Sequence, residues 1–551
     1  MRIASILLVL LALVALAPQV SGDAGKAGHR YAVSTDNLPS SRAAIEVMKA
    51  GGSAVDAAIA AAFTLGVTQP SACGIGGGGF ALVWDAKQKK VFAFDFRETA
   101  PKNYDIEGFL AGTQGSKIGV PGEVAGLVAL HERWGKLTLA QNVAPAVRAA
   151  EEGYEITPHL VKAFGFREKQ ILSTPAYAAI FAPGGVLAQA GTRVKNPPLA
   201  RTLRRIGAEG KKAFYEGPVA KEIVEVARSL GSAMTEEDLR EYRVIEREPL
   251  RRTWEGYEVA TMPLPSAGGV MLLEVLGLYS KAELQAMGDF TADYQHMVAE
   301  AMRGALADRF LAMGDPAFVP DRTAEMLSPE HLRARRARIS PERTHAPARF
   351  HFTEHGTSHL VVADAEGNVV SLTTTINSPF GGVSLAPESG VLLNDELSDF
   401  THPDVAKRFG LKDGGPNRPR PGARPISSMT PTIVLRDGEP VLATGGSGGM
   451  RIAGNVTQAV LYRLVFDKSA QEAVSAPRFF TPPNGPILAY AKDQLPPYEV
   501  QLNLFERGEQ IEVTPFDFTG VQMVTMTKLP GGGRKLEAGA DPRKGSVGIV
   551  Q

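Results

Sequence analysis

Gly356-Thr357 heads the run Gly356-Thr357-Ser358-His359-Leu360-Val361-Val362-Ala363-Asp364 and joins a residue without a Cβ to a hydroxyl nucleophile. Glycine there can adopt a strained backbone geometry that exposes its carbonyl to attack. Attack by the Thr357 hydroxyl converts the amide to an ester, and water then completes a cut that leaves Thr357 as a new amino terminus. The freed α-amine, with a reference pKa of roughly 7.7 to 8.0, can take the hydroxyl proton and return it to a leaving group. Such a site needs no histidine.

Rival chemistries fall away on order and spacing. Gly445-Gly446-Ser447-Gly448-Gly449 satisfies G-x-S-x-G, follows the strand-like stretches 432–435 and 441–443, and precedes the helical stretch 455–466, as a nucleophile elbow would. That fold needs its histidine after the serine, whereas the last histidine of the chain is His402. His351, His355 and His359, four apart, would gather as metal ligands on a helical face. Gly356 and the β-branched residues after it oppose a helix, and a cut at Gly356 would separate His359 from the other two. The glycines of Cys73-Gly74-Ile75-Gly76-Gly77-Gly78-Gly79 lack the Lys-Ser/Thr ending of a phosphate loop and lead into a strand. Cys73 is the only cysteine, so internal disulfides and cysteine-based zinc sites are excluded, and it reads as a small buried residue. The basic stretch 333–338 reads as a solvated helix face.

The elements that must position Thr357 are legible around it. Residues 359–363 and 369–376 are β-like and flank the turn-like Asp364-Ala365-Glu366-Gly367-Asn368, which together make a hairpin. A loop symmetric about Glu366 sets Thr357 opposite Thr375, on one face of the sheet about 5 Å apart. Asn377 then projects from the same face, while Thr373 and Thr374 read as ordinary strand residues. Upstream, Ser53-Ala54-Val55-Asp56 resembles a capping box opening a buried helix that runs to Leu65, and the strands 80–84 and 91–96 follow. From about 138 to 340 the pattern is mainly helical, and a linker containing Pro341 and Pro347 leads to Gly356.

Composition sets the frame. The 551 residues, 44% apolar, can bury a large core, and 59 basic against 59 acidic residues point to a small-molecule substrate rather than nucleic acid. Arg2 precedes a largely apolar run over 3–16, too short for a membrane span, and cleavage after Val20-Ser21-Gly22 fits a signal peptide of residues 1–22. The expectation is a periplasmic or secreted protein without a membrane anchor.

The chain resembles the γ-glutamyltransferase family of N-terminal nucleophile hydrolases over nearly its whole mature length. The resemblance is carried by Asp95-Phe96-Arg97-Glu98-Thr99-Ala100-Pro101, Thr357-Ser358-His359, Thr373-Thr374-Thr375-Ile376-Asn377, the stretch from Gly390-Val391 through Asn394-Asp395-Glu396-Leu397-Ser398-Asp399-Phe400, Pro425-Ile426-Ser427-Ser428-Met429-Thr430-Pro431, and Gly445 to Gly449. It implies an α+β fold, a four-layer αββα sandwich built jointly by two chains, 23–356 and 357–551, cut from one precursor at Gly356-Thr357. It also implies transfer of the γ-glutamyl group of glutathione-like compounds through a Thr357 ester to water or to an amino acid or dipeptide. Neither metal nor cofactor is implied. Thr357 and Thr375 match catalytic positions, Gly448 and Gly449 the oxyanion hole, Arg97, Ser427 and Ser428 the binding of the substrate carboxylate, and Asn377, Glu396 and Asp399 acceptors for its ammonium. Leu397 stands where methionine is common and Ser358 where threonine is common, and 400–422 matches the bacterial lid only in length. Two alternatives stay open: a glutaryl-type β-lactam acylase of the same fold, and a solute-binding homologue that does not cut itself.

Overall fold

The computed structural model describes residues 28–345, 356–482, 485–514, 519–530 and 532–551. The proposed signal peptide, His351, His355 and the stretch just before Gly356 lie outside the described residues.

Two large sheets form the middle of the molecule. The first contains β1 (Ala32–Thr35), β2 (Gly78–Asp85), β3 (Lys90–Phe96), β4 (Ile245–Arg247), β7 (Ser358–Ala363), β8 (Val369–Thr375) and β13 (Val547–Val550), in the order β13-β1-β7-β8-β2-β3-β4. The second contains β5 (Leu250–Trp254), β6 (Tyr257–Thr261), β9 (Thr432–Arg436), β10 (Glu439–Ser447), β11 (Gly520–Lys528) and β12 (Arg534–Ala540), in the order β12-β11-β10-β9-β6-β5.

The strand period of two assigns the faces. Along β7, Leu360 and Val362 pack with Ala81, Val83 and a helical layer that includes Ala54–Thr68. Val361 and Ala363 point the other way, into a second core with Ile433, Ala443 and Val521 of the facing sheet. Helices Ala267–Leu278, Ala292–Ala312 and Arg451–Leu464 add Leu272, Val298 and Val456 to that second core. The result is the expected helix-sheet-sheet-helix sandwich.

Helix Ala54–Thr68 is buried along its whole length and carries the expected capping box between Ser53 and Asp56. Within the stretch read as mainly helical, β4 to β6 are strands. Glu255 and Gly256 form the two-residue turn joining β5 to β6, with φ of 50° and 78°, a primed hairpin turn. The glycine run before β2 meets β8 closely: a Cβ on Gly77 would stand 1.9 Å from the carbonyl oxygen of Thr375. The basic helix Pro329–Arg336 is less free than expected, because Arg335 pairs with Asp308 and Arg336 lies over the Tyr279 ring at 4.9 Å.

Candidate functional site

Thr357, the expected nucleophile, lies at the mouth of the β7–β8 hairpin. Pairing runs from Val369↔Ala363 to Thr374↔Ser358, and one step further sets Thr375 opposite Thr357. Thr357 Oγ1 donates to Thr375 Oγ1 at 3.3 Å, and Thr375 Oγ1 also accepts from the Asn377 amide at 2.8 Å. The Thr357 amide donates to the carbonyl of Ala72 at 3.0 Å. Thr357 has φ of 90°, a conformation that costs a β-branched residue about 1–3 kcal/mol. Gly356, at φ 141°, lies so close to the next strand exit that a Cβ would stand 1.5 Å from the carbonyl oxygen of Asn377. The Gly356 carbonyl, the one Thr357 would attack, accepts a hydrogen bond from the Gly448 amide at 3.2 Å. Gly448 and Gly449 have φ of 123° and 60°, so the turn that aims this amide suits glycine.

Arg97 is buried just after β3, and each of its three guanidinium nitrogens is engaged. It pairs with Glu396 and Asp399 and donates to the carbonyls of Pro425 and Ile426, each at 3.2 Å. Its main chain is fixed by Asp95, which accepts from the Arg97 amide at 2.9 Å, and by Tyr242 and Arg424, which donate to its carbonyl at 2.8 and 3.2 Å. The fork expected to clamp a substrate carboxylate therefore already holds two acids, as a buried cation requires. Burial pushes the Glu396 carboxyl well above the usual range against the pull of Arg97, with Glu98 and Asp399 adding to the rise. Burial likewise pushes Glu98 up to about 8, opposed by Arg97. Around one guanidinium, three carboxyl groups compete, and the cluster can accept a second cation.

A cavity of about 170 Å³ lies beside this cluster, lined among others by Asn377, Ser398, Asp399 and Arg309. Asn377 donates its side-chain amide to Ser398 Oγ at 2.8 Å and to the Asp395 carbonyl at 3.3 Å. Ser427 and Ser428 are buried; Ser427 Oγ accepts from the Met429 amide at 3.1 Å, and the Ser428 carbonyl accepts from Thr430. The two serines follow directly after the carbonyls that hold Arg97.

Sequence reasoning missed four residues. Asn394 pins the acidic loop, donating to the carbonyls of Gly76 and Gly119 at 2.8 and 2.9 Å and accepting from the amides of Gly119 and Glu396. Asn417 ties the 400–422 stretch back to the Asp399 carbonyl at 2.7 Å. Arg309 reaches the cavity with a buried Nε that has no described partner. Lys544, from near the end of the chain, contacts the Thr357 carbonyl, Asp36 and Ser447. Asn394 lies inside a quoted motif; nothing local marks the other three.

The rivals read differently in place. Ser447 ends β10 fully buried, receives a hydrogen bond from Lys544 at 2.9 Å, and has no exposed hydroxyl to offer a substrate. His359 bonds Thr373 at 2.8 Å and Ser371 at 3.3 Å within β7 and β8, and burial pushes it down to about 3, so it is neutral. Thr373 is thus a specific partner and more than a strand former. Among the described residues, Glu274, Asp308 and His331 are close enough together to consider for a metal, but Arg335 and His331 already bond Asp308.

Comparison with known proteins bears on all of this. Residues 40–550 match the family model described as gamma-glutamyltranspeptidase. The chain is 36% identical to glutathione hydrolase 2 of Arabidopsis thaliana, covering 99% of this chain and 98% of that one. It is 34% identical to the glutathione hydrolase proenzyme of Bacillus subtilis, covering 92% and 88% respectively. In structure it is similar to cephalosporin acylase from Bacillus halodurans, with a TM-score of 0.82 at 27% identity over 98% of each chain. Its sequence, matched along nearly the whole length, shows that the chain belongs to the gamma-glutamyltranspeptidase family.

Proposed function

We propose that the chain is a precursor that cuts itself between Gly356 and Thr357 and then, through Thr357, hydrolyses or transfers the γ-glutamyl group of glutathione-like compounds. The observation that carries this reading is the strained Gly356-Thr357 junction, with its carbonyl on the Gly448 amide and its hydroxyl on Thr375. Attack of Oγ1 on the Gly356 carbon moves the acyl group from nitrogen to oxygen, and the oxyanion formed is met by the Gly448 amide. That shift breaks the C–N bond and frees the Thr357 amine; water then cleaves the ester, leaving a carboxylate on Gly356 and restoring the Thr357 hydroxyl. Breaking the C–N bond also removes the constraint that fixes φ of Thr357. The products, 23–356 and 357–551, would stay together because β1 to β6 come from one and β7 to β13 from the other: they interleave in the first sheet and share the β9–β6 seam in the second.

In turnover the Thr357 amine takes the Oγ1 proton as oxygen attacks the γ-carbonyl, and returns it to the departing amine. Gly448 and Gly449 supply the amides for the oxyanion. Water or an amino acid then attacks the ester, with the same amine as base. The substrate's ammonium enters a cluster richer in carboxyls than in cations, made by Glu396, Asp399 and Glu98, with Asn377 beside it. Its carboxylate exchanges into the Arg97 fork and onto Ser427 and Ser428. A glutaryl group would bring a carboxylate to these acids without the compensating cation, which favours γ-glutamyl over glutaryl substrates. Residues 1–22 are proposed to export the protein to the periplasm or medium; among the described residues no helix is long and apolar enough to cross a membrane.

The test compares γ-glutamyl and glutaryl anilides on purified protein. Release of chromophore from the γ-glutamyl compound at a kcat/KM at least tenfold higher is expected, and a preference for glutaryl would overturn the substrate assignment.

A further inference from the structure

Lys544 is brought to the nucleophile from 187 residues further along the chain, in the short turn between β12 and β13. Its side chain is only 3% exposed, and its three N–H groups meet three acceptors: Asp36 Oδ2 at 2.6 Å, Ser447 Oγ at 2.9 Å and the main-chain carbonyl of Thr357. Asp36 is fixed in turn by Gln522, which donates to its other oxygen at 2.8 Å and is held by Ser34 and Ser546. Pairing with Asp36 would be enough to make a buried lysine tolerable. The contact with Thr357 goes further, because it touches the very residue whose amine must act as base.

Only Cα and the carbonyl carbon separate a residue's nitrogen from its carbonyl oxygen, so the ammonium lies within about 6 Å of the Thr357 nitrogen. A positive charge at that range in a water-poor site favours the neutral form of an amine. Most of the other ionisable groups close to Thr357 are shifted toward their neutral forms. Burial holds His359 and His159 neutral, each pushed down to about 3, and pushes the Cys73 thiol and the carboxyls of Glu123 and Asp395 upward. Arg97 is paired with Glu396 and Asp399 in the neighbouring cluster, whereas Lys544 contacts Thr357 itself and its partner Asp36 makes no described bond to Thr357.

We propose that Lys544 is a positioning residue that holds the freed Thr357 amine in its neutral, proton-accepting form, and so sets the lower pH limit of turnover. This rests on Thr357 being the nucleophile. In acylation the amine lone pair takes the Oγ1 proton, two cations then stand side by side, and their repulsion drives the proton on to the leaving nitrogen. Asp36 limits the effect, so the amine remains basic enough to work.

The test is the pH dependence of kcat/KM for a γ-glutamyl anilide, measured on cleaved, two-chain enzyme. In the wild type the rising limb should have its midpoint below the roughly 7.7 to 8.0 of an ordinary α-amine. Lys544→Arg keeps the charge and should leave the limb in place; Lys544→Met should move it up by about one pH unit. A limb that stays put in mature Lys544→Met, even with a lower rate, would reduce Lys544 to a support of the fold and overturn the proposal. Should Lys544→Met fail to mature, the wild-type midpoint decides, and a value at or above about 8 overturns it. Failure of the parent reading is visible separately, as cleavage or acylation that survives Thr357→Ala.

Discussion

Replacing Gly448 with alanine should slow self-cleavage and turnover together, because one amide would serve both reactions. The new Cβ would stand 2.5 Å from Thr519 Cγ2 and 3.1 Å from its Cα, and φ of 123° is unfavourable for alanine. The turn must shift, and the 3.2 Å contact from the Gly448 amide to the Gly356 carbonyl is the one that opens. Loss of one oxyanion donor lowers a rate by about 100- to 1,000-fold, or roughly 2.7–4 kcal/mol of barrier. Self-cleavage is followed as conversion of one band to two on a denaturing gel, and turnover by anilide release from the fraction that has matured. Thr519→Ser removes the nearest clashing atom and should recover part of both rates in the double variant. Gly448→Ala that matures and turns over like the wild type would refute the shared role of this amide. Loss of one rate alone would refute it too.

Arg97 and Glu98 give two further tests. Arg97→Ala should raise KM for γ-glutamyl substrates strongly, and it should also cost stability, since Glu396 and Asp399 lose their cation: removing one partner of a buried pair typically costs about 3–5 kcal/mol. Cleavage at Gly356 should still occur; an unchanged KM in folded protein would remove Arg97 from the binding site. Burial pushes Glu98 up to about 8 in the folded chain, from an ordinary value of 4.5, so the folded state binds the extra proton and stability falls as pH rises between those values. Glu98→Gln abolishes that fall, so its melting temperature should gain on the wild type from pH 5 to pH 8. Parallel curves for the two proteins would contradict the assignment.

What the sequence made legible was local or periodic. A symmetric five-residue loop and period-two strands were enough to set Thr357 against Thr375, and the observed register is the expected one. The capping box at Ser53 and the burial of its helix were equally readable. The β5–β6 hairpin escaped because its turn is Glu255-Gly256, without the Asn-Gly or Asp-Gly pair that usually announces such a turn. The pairing inside the Arg97 cluster escaped for another reason: a motif names Arg97, Glu396 and Asp399 but does not say that the two acids pair with the guanidinium. Lys544 and Asp36 come from opposite ends of the chain, 508 residues apart, and meet at Thr357 only because β1 and β13 pair side by side. No spacing rule reaches that far.

Intact mass of the purified protein, before and after a brief exposure to a γ-glutamyl anilide, tests the central claim most directly. Two chains are expected, the smaller beginning at Thr357, with the mass of one γ-glutamyl group appearing on that smaller chain at early times. Thr357→Ala should give a single uncut chain that takes up no acyl group. A variant lacking Thr357 that is still cut before residue 357, or an acyl group found on the larger chain, would contradict the assignment of Thr357 as the nucleophile.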